Sequence, residues 1–263
     1  MSISVGETAL MTNPLDLFRL DGKVALVTGA SAGLGERFAR TLHAVGATVI
    51  VTARRADRLQ RLAEELPGTI AVTADIAIAE DRERLVAEAI QRAGRIDILV
   101  NNAGIANVVA AEHENLDEFE RVMQINVTAV WHLSKLCGQA MIEQGSGSIV
   151  NVASMLGFVA STPVKQANYC ASKGAVVNLT RELAVQWARK GVRVNAICPG
   201  WFPSEMTATM QDDSSQKFIT TNTPLARMGE QHELDGALLL LASPAGSFIT
   251  GHSLLVDGGW TAR

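Results

Sequence analysis

The sequence predicts a doubly wound α/β fold, one parallel sheet with helices on both faces. Two patterns lead there. Short segments that are apolar along their whole length alternate with longer segments of helical periodicity. Strands of that kind are buried on both faces, which is the situation of a parallel sheet sandwiched between helices. In addition, a glycine-rich turn lies directly between the first apolar strand and the first helix, where such folds make their tightest turn.

The elements follow in order along the 263 residues. Residues 1–20 show no strong periodicity and are expected to form an arm leading into a single domain, 21–263. Residues 23–28 form a short apolar run that ends at glycine, and 35–45 carry a helical pattern. The β-branched run Thr-Val-Ile-Val-Thr at 48–52 is the second strand, followed by a helix over 56–66. Strands are expected at 69–73, 97–100, 148–152, 193–197 and 253–256, and helices at 80–93, 119–137, 169–189 and 230–241. No internal repeat, low-complexity tract or Pro/Gly linker divides the chain.

Composition narrows the function classes. With 48% hydrophobic and 19% charged residues the chain can fill a large core and keep a soluble surface. A net charge of −4 argues against a nucleic-acid partner, which favours a basic footprint. The three cysteines, Cys137, Cys170 and Cys198, are widely spaced, as expected for reduced thiols rather than a disulfide framework or zinc site. The five histidines are scattered without ligand spacing, so no metal is expected. No basic-then-apolar leader is present, and the apolar stretch 237–242 is too short to cross a bilayer. A cytoplasmic protein with no membrane role is expected.

The glycine turn reads Thr28-Gly29-Ala30-Ser31-Ala32-Gly33-Leu34-Gly35. Its spacing is GxxxGxG, and its place after the first strand, opening a helix, suits a pyrophosphate. Backbone N–H groups and the helix dipole would attract the phosphates, so Gly29, Ser31, Ala32, Gly33, Leu34 and Gly35 are candidate cofactor residues. The second strand ends Thr52-Ala53-Arg54-Arg55. An acidic residue there would bind the ribose hydroxyls of NAD(H), whereas an arginine complements a 2′-phosphate. Arg54, with Arg55 beside it, therefore favours NADP(H), and NAD(H) stays open.

Tyr169 and Lys173 lie four positions apart in a helical segment, hence on one face about a turn apart. A free phenol titrates near 10, too high for ready proton transfer at neutral pH, and a nearby ammonium is expected to lower it. Such a pair makes an acid/base.

Together with Asn101-Asn102-Ala103-Gly104, Asn126, Ser154 and Pro199-Gly200, these features resemble the short-chain dehydrogenase/reductase family from about residue 20 onward. The resemblance implies a Rossmann-like single domain, usually a homotetramer or dimer, that interconverts a small-molecule carbonyl and alcohol by hydride transfer. It implies that Ser154 holds the substrate oxygen, Tyr169 exchanges its proton, and Lys173 binds the nicotinamide ribose and tunes the tyrosine. Asn126 would keep its helix kinked and hold a relay water. Asn102, Ala103 and Gly104 would line the adenosine side, with Asp75 and Ile76 over the adenine. Ile197, Pro199, Gly200 and Phe202 would lie beside the nicotinamide, and Ser204 near its carboxamide and the phosphates.

Two departures from the family pattern stand out. Ser154 and Tyr169 are fifteen positions apart, two more than usual, and the added length in 158–166 would border the substrate. Trp201, Phe202 and Pro203, with Met155, Leu156 and Phe158, suggest a pocket for an apolar or medium-sized carbonyl compound. The polar stretch 204–223 is expected to be a loop serving as a lid. Reductases of 3-oxoacyl thioesters and sugar-acid dehydrogenases both match the resemblance. The alternatives are a dinucleotide-binding sensor without turnover and a non-redox epimerase or dehydratase.

Overall fold

The computed structural model describes residues 13–210 and 213–263, with the side chains of 208–210 excepted. Seven strands form one sheet: β1 (Val24–Thr28), β2 (Thr48–Ala53), β3 (Ile70–Thr73), β4 (Ile98–Asn101), β5 (Gly147–Val152), β6 (Val192–Pro199) and β7 (Ser253–Val256). Their spatial order is β3-β2-β1-β4-β5-β6-β7, and every neighbouring pair is parallel. The chain winds outward from β1 to β3, then returns to lay β4 on the other side of β1. All strands therefore present their C-terminal ends along one edge, with the switch point between β1 and β4, where open α/β sheets bind ligands.

The sheet has a core on each face, built by strict alternation. On β1, Ala25 and Val27 point into one core and Val24 and Leu26 into the other, and all five β1 residues are buried. The first core is closed by α1 (Gly33–Ala44), α2 (Ala56–Glu65) and α8 (Asp235–Ala242) through residues such as Phe38, Leu42, Leu59 and Leu238. The second is closed by α3 (Ala79–Ala93), α5 (Ala129–Gln144) and α6 (Ala167–Trp187) through Leu85, Leu133, Met141 and Leu183. Burying a leucine or phenylalanine fully contributes roughly 1.5–3 kcal/mol. Packing of this kind holds the helices on the sheet better than propensity alone.

The architecture is the expected one, with differences in detail. The helix expected at 119–137 is α4 (Leu116–Met123) running into α5 through a π-helical turn, Gln124–Thr128. Within the stretch expected as a loop at 204–223, Glu205–Met210 form a 3-10 segment and Asp213–Asn222 form α7. Its Ser, Thr and Asn content disfavours helix, but Ile219 is fully buried and Phe218 packs on Trp260 at 6.0 Å, so tertiary packing overrides propensity. Residues 1–12 of the expected arm lie outside the described residues. Beyond them Pro14–Phe18 form a 3-10 turn, and Leu20 is buried with its N–H bonded to the Val45 carbonyl at 2.8 Å. Among the described residues no helix is long and apolar enough to cross a membrane.

Candidate active site

The glycine turn between β1 and α1 is shaped as a cradle. Gly29 and Gly33 take φ of +66° and +58°, a region L side chains rarely adopt. A Cβ on Gly35 would come within 2.3 Å of the Gly29 carbonyl oxygen, and one on Gly29 within 2.9 Å of the Ala103 Cα. Ala32, at the N-cap, places no side chain on the first N–H groups of α1. They remain available to an anion, which the helix dipole also favours. Asn102 shapes this turn from below, its amide donating to the Thr28 carbonyl at 2.9 Å. The N–H groups of Asn102 and Ala103 both reach the Thr28 hydroxyl at 3.0 Å. A turn too tight for a side chain at Gly29 and Gly35, open N–H donors and nearby guanidinium groups fit a dinucleotide diphosphate.

The basic residues after β2 divide their roles. Arg54 is exposed and makes no hydrogen bond or ion pair with a described residue. Arg55, on which the sequence reading places less weight, donates from Nε to the Ser31 hydroxyl of the cradle at 3.0 Å. Arg58, one helical turn on, joins it on Glu205. Of the two candidate phosphate contacts, Arg55 touches the cradle and Arg54 faces solvent. The spacing of Arg55 and Arg58 was the available signal, because residues three apart at a helix start share a face. Asp75 is half-buried and caps its own loop, accepting from the Ala77 N–H at 3.0 Å, while Ile76 is buried after β3.

The end of β5 organises the proton-transfer groups. Lys173 reaches back from α6 to donate to the Val152 carbonyl at 2.7 Å, and Ser154 follows two residues later with its hydroxyl accepting from the Leu156 N–H at 3.1 Å. Tyr169 stands one turn before Lys173, whose ammonium lies 5.4 Å from the phenol ring centroid. Asn126 sits in the π-helical turn and is buried. It accepts from the Ile105 N–H at 2.9 Å, and donates to the Ile105 carbonyl at 2.8 Å and the Ser172 hydroxyl at 3.0 Å. That hydroxyl in turn donates to the Tyr169 carbonyl at 2.8 Å. The sequence reading did not single out Ser172, although its place one turn after Tyr169 was visible. A π turn inside an α-helix is a frequent mark of a functional site, and here it lets Asn126 face both the β4 loop and α6. Gly104 belongs to this side: a Cβ there would lie 3.2 Å from the Asn126 Oδ1 and 3.6 Å from the Lys173 Nζ.

The electrostatics differ from the expected lysine-depressed tyrosine. Burial pushes the Tyr169 phenol up to about 12, and the neighbouring Ser154 hydroxyl pulls it only partly back. Burial likewise pushes the Lys173 ammonium down, to about 8. Desolvation of the charged form is the largest cause of both shifts, and the ammonium donates to the Val152 carbonyl and lies over the phenol ring face. At neutral pH the pair is a protonated phenol beside a protonated amine.

Met155, Leu156, Trp201 and Trp260 form a buried apolar cluster that the Tyr169 ring joins, and the two indoles meet edge to face at 5.7 Å. Phe202 does not join this cluster. Its ring turns into the first core, so close over Gly229 that a Cβ there would come within 2.3 Å. Pro203 and Phe158 are exposed. Pro199 ends β6, Gly200 N–H donates to the Val256 carbonyl at 2.9 Å, and Ser204 lies against the cradle, 3.8 Å from where a Gly33 Cβ would be.

Comparison with known proteins agrees with this arrangement. A family model described as enoyl-(acyl carrier protein) reductase matches residues 29–261. The chain is 43% identical to galactitol 2-dehydrogenase (L-tagatose-forming) of Cereibacter sphaeroides, over 93% of its own length and 97% of the relative's. It is 39% identical to gluconate 5-dehydrogenase of Gluconobacter oxydans, over 95% and 99%. Among solved structures, a gluconate 5-dehydrogenase from Burkholderia cenocepacia in complex with NADP and tartrate superimposes with a TM-score of 0.91 at 34% identity, covering 95% of this chain and 100% of that one. The chain belongs to the short-chain dehydrogenase/reductase family and is a nicotinamide-dependent oxidoreductase that interconverts a carbonyl and an alcohol.

Proposed function

We propose an NADP(H)-preferring dehydrogenase/reductase of neutral polyols or ketones, with Tyr169 as the acid/base. The observation that carries this is the meeting of Ser154, Tyr169 and Lys173 at the end of β5, beside the glycine cradle. The nicotinamide cofactor supplies or accepts the hydride and, when oxidised, adds a positive charge beside the phenol. Ser154 orients the substrate oxygen toward the Tyr169 hydroxyl, which donates its proton in reduction and takes one in oxidation. Lys173 is held at the β5 edge where the ribose hydroxyls would reach it, and Asn126 keeps the Gly104 loop and α6 in register for that contact. Gly29, Ser31, Gly33 and Gly35 would hold the diphosphate, and Arg55 with Ser31 a 2′-phosphate.

The apolar wall of Met155, Leu156, Trp201 and Trp260 suits the C–H face of a neutral substrate better than a carboxylate. Relatives named for galactitol and gluconate support a polyhydroxylated chain. Segment 205–222 would act as the lid. A homodimer or tetramer in the cytoplasm fits exposed apolar side chains on α5 and α6, Trp131 and Val185, with Phe248 fully exposed before β7. The test follows nicotinamide absorbance against galactitol, gluconate, simple ketones and a 3-oxoacyl thioester, with NADPH and NADH in parallel. Net turnover with a polyol or ketone, faster with the phosphorylated cofactor, is expected. Turnover confined to the thioester or to the acid refutes the substrate assignment. Cofactor binding without turnover, or conversion without net cofactor change, refutes the catalytic one.

A further inference from the structure

Glu205 stands on the segment after β6 and reaches across the glycine cradle to the basic residues after β2. Its Oε1 accepts from Arg55 Nη1 at 2.9 Å and from Arg58 Nη1 at 2.8 Å, and its Oε2 accepts from Arg55 Nη2 at 3.0 Å. The remaining Arg55 donor, Nε, goes to the Ser31 hydroxyl. A forked guanidinium, a second guanidinium and a hydroxyl are the donor set that selects a phosphate monoester, and here it surrounds a carboxylate. The backbone on either side is held in place: the Ser204 N–H donates to the Thr207 hydroxyl at 2.9 Å, and that hydroxyl donates to the Phe202 carbonyl at 2.9 Å. Ser204 itself lies against Gly33, so the strap passes directly over the cradle.

We propose that Glu205 discriminates between cofactors: its carboxylate takes the place an adenosine 2′-phosphate needs, must leave Arg55 and Arg58 before NADP(H) binds, and can stay when NAD(H) presents only a hydroxyl. This rests on the assignment of Arg55 and Ser31 to the 2′-phosphate. Two anions cannot share one set of donors without strong repulsion. A neutral ribose hydroxyl brings no such conflict and can donate to the carboxylate. Glu205 therefore tempers the preference for the phosphorylated cofactor that the arginines create. The arginines hold its carboxyl down at about 2, so Glu205 stays ionised throughout the working range. All three side chains are more than a third exposed, so the competition is moderate. Releasing a small network of exposed pairs corresponds to a change of about tenfold in affinity.

The test is direct binding, by fluorescence or calorimetric titration, of NADPH, NADH and adenosine 2′,5′-bisphosphate to wild type, E205Q, E205A and Arg55→Ala. In E205Q and E205A, NADPH and the bisphosphate are expected to bind about tenfold tighter, while NADH changes less than about twofold. Equal shifts for NADPH and NADH, or weaker NADPH binding, overturn the proposal. If Arg55→Ala weakens bisphosphate binding while both Glu205 variants match wild type, the phosphate assignment stands and the role of Glu205 alone falls. If Arg55→Ala binds the bisphosphate as wild type does, the phosphate site lies elsewhere and both fall.

Discussion

Lys173→Met separates what the buried lysine does for chemistry from what it does to stability. Burial moves the Lys173 ammonium from its ordinary 10.5 to about 8, a shift equivalent to roughly 3 kcal/mol of penalty on the charged form. Below about pH 8 both folded and unfolded chains carry the proton, and the whole penalty is present. Between about pH 8 and 10.5 the folded protein has released a proton that the unfolded chain still holds, so folding becomes more favourable as pH rises. The methionine variant has no such titration. It lacks the charge penalty but leaves the Val152 carbonyl without its partner, a loss of about 1–3 kcal/mol. At pH 7 the variant should therefore be inactive, yet between equal to and about 2 kcal/mol more stable than wild type. The difference should move by roughly 3 kcal/mol in favour of wild type by the alkaline end of the window. Urea unfolding of both nucleotide-free proteins across about pH 7 to 10 measures it. Tyr169, raised from 10 to about 12, lowers stability only above pH 10, and it does so in both proteins. Parallel stability curves would refute the desolvated lysine.

Three further outcomes are expected. Tyr169→Phe should reduce turnover by about 10²–10⁴-fold while titrated NADPH affinity stays within about twofold, because it removes the proton donor and little else; unchanged turnover would dismiss the acid/base. With the phenol pushed to about 12, carbonyl reduction should be nearly flat with pH, whereas alcohol oxidation should rise by up to about tenfold per unit from about pH 7 to 9. Rate profiles in both directions check this, and a flat oxidation profile contradicts it. Gly35→Ala should lower stability by about 1–3 kcal/mol and weaken cofactor binding, since the added methyl meets the Gly29 carbonyl. Thermal melts with and without NADPH read both effects.

The wholly apolar strands and the helical stretches between them were legible because burial on a two-faced parallel sheet leaves a strong apolar signature. Residues 24–28 show it best, with adjacent side chains entering opposite cores. The polar segment that became α7 was not legible, because Ile219 and Phe218 are held helical by distant partners such as Trp260. A kink at Asn126 was expected from the family resemblance, but its form, a π turn at Gln124–Thr128 that brings Asn126 to the Ile105 backbone and Ser172 together, is set by tertiary contacts.

The order of elements, the glycine turn and the four-residue spacing of Tyr169 and Lys173 are local properties of the chain, so the sequence by itself determined the fold class and nominated the proposed proton-transfer residues. Which arginine faces the cradle, which aromatic ring packs beside Tyr169 and which way the tyrosine titrates were decided only by the tertiary structure. Arg54 and Arg55 are neighbours in sequence, yet one points to solvent and the other to Ser31. Phe202 and Trp201 part in the same way, into the first core and into the cluster that the Tyr169 ring joins. The physical reason is that desolvation and directed hydrogen bonds depend on what the whole fold places around a side chain, and spacing along the chain carries no record of it.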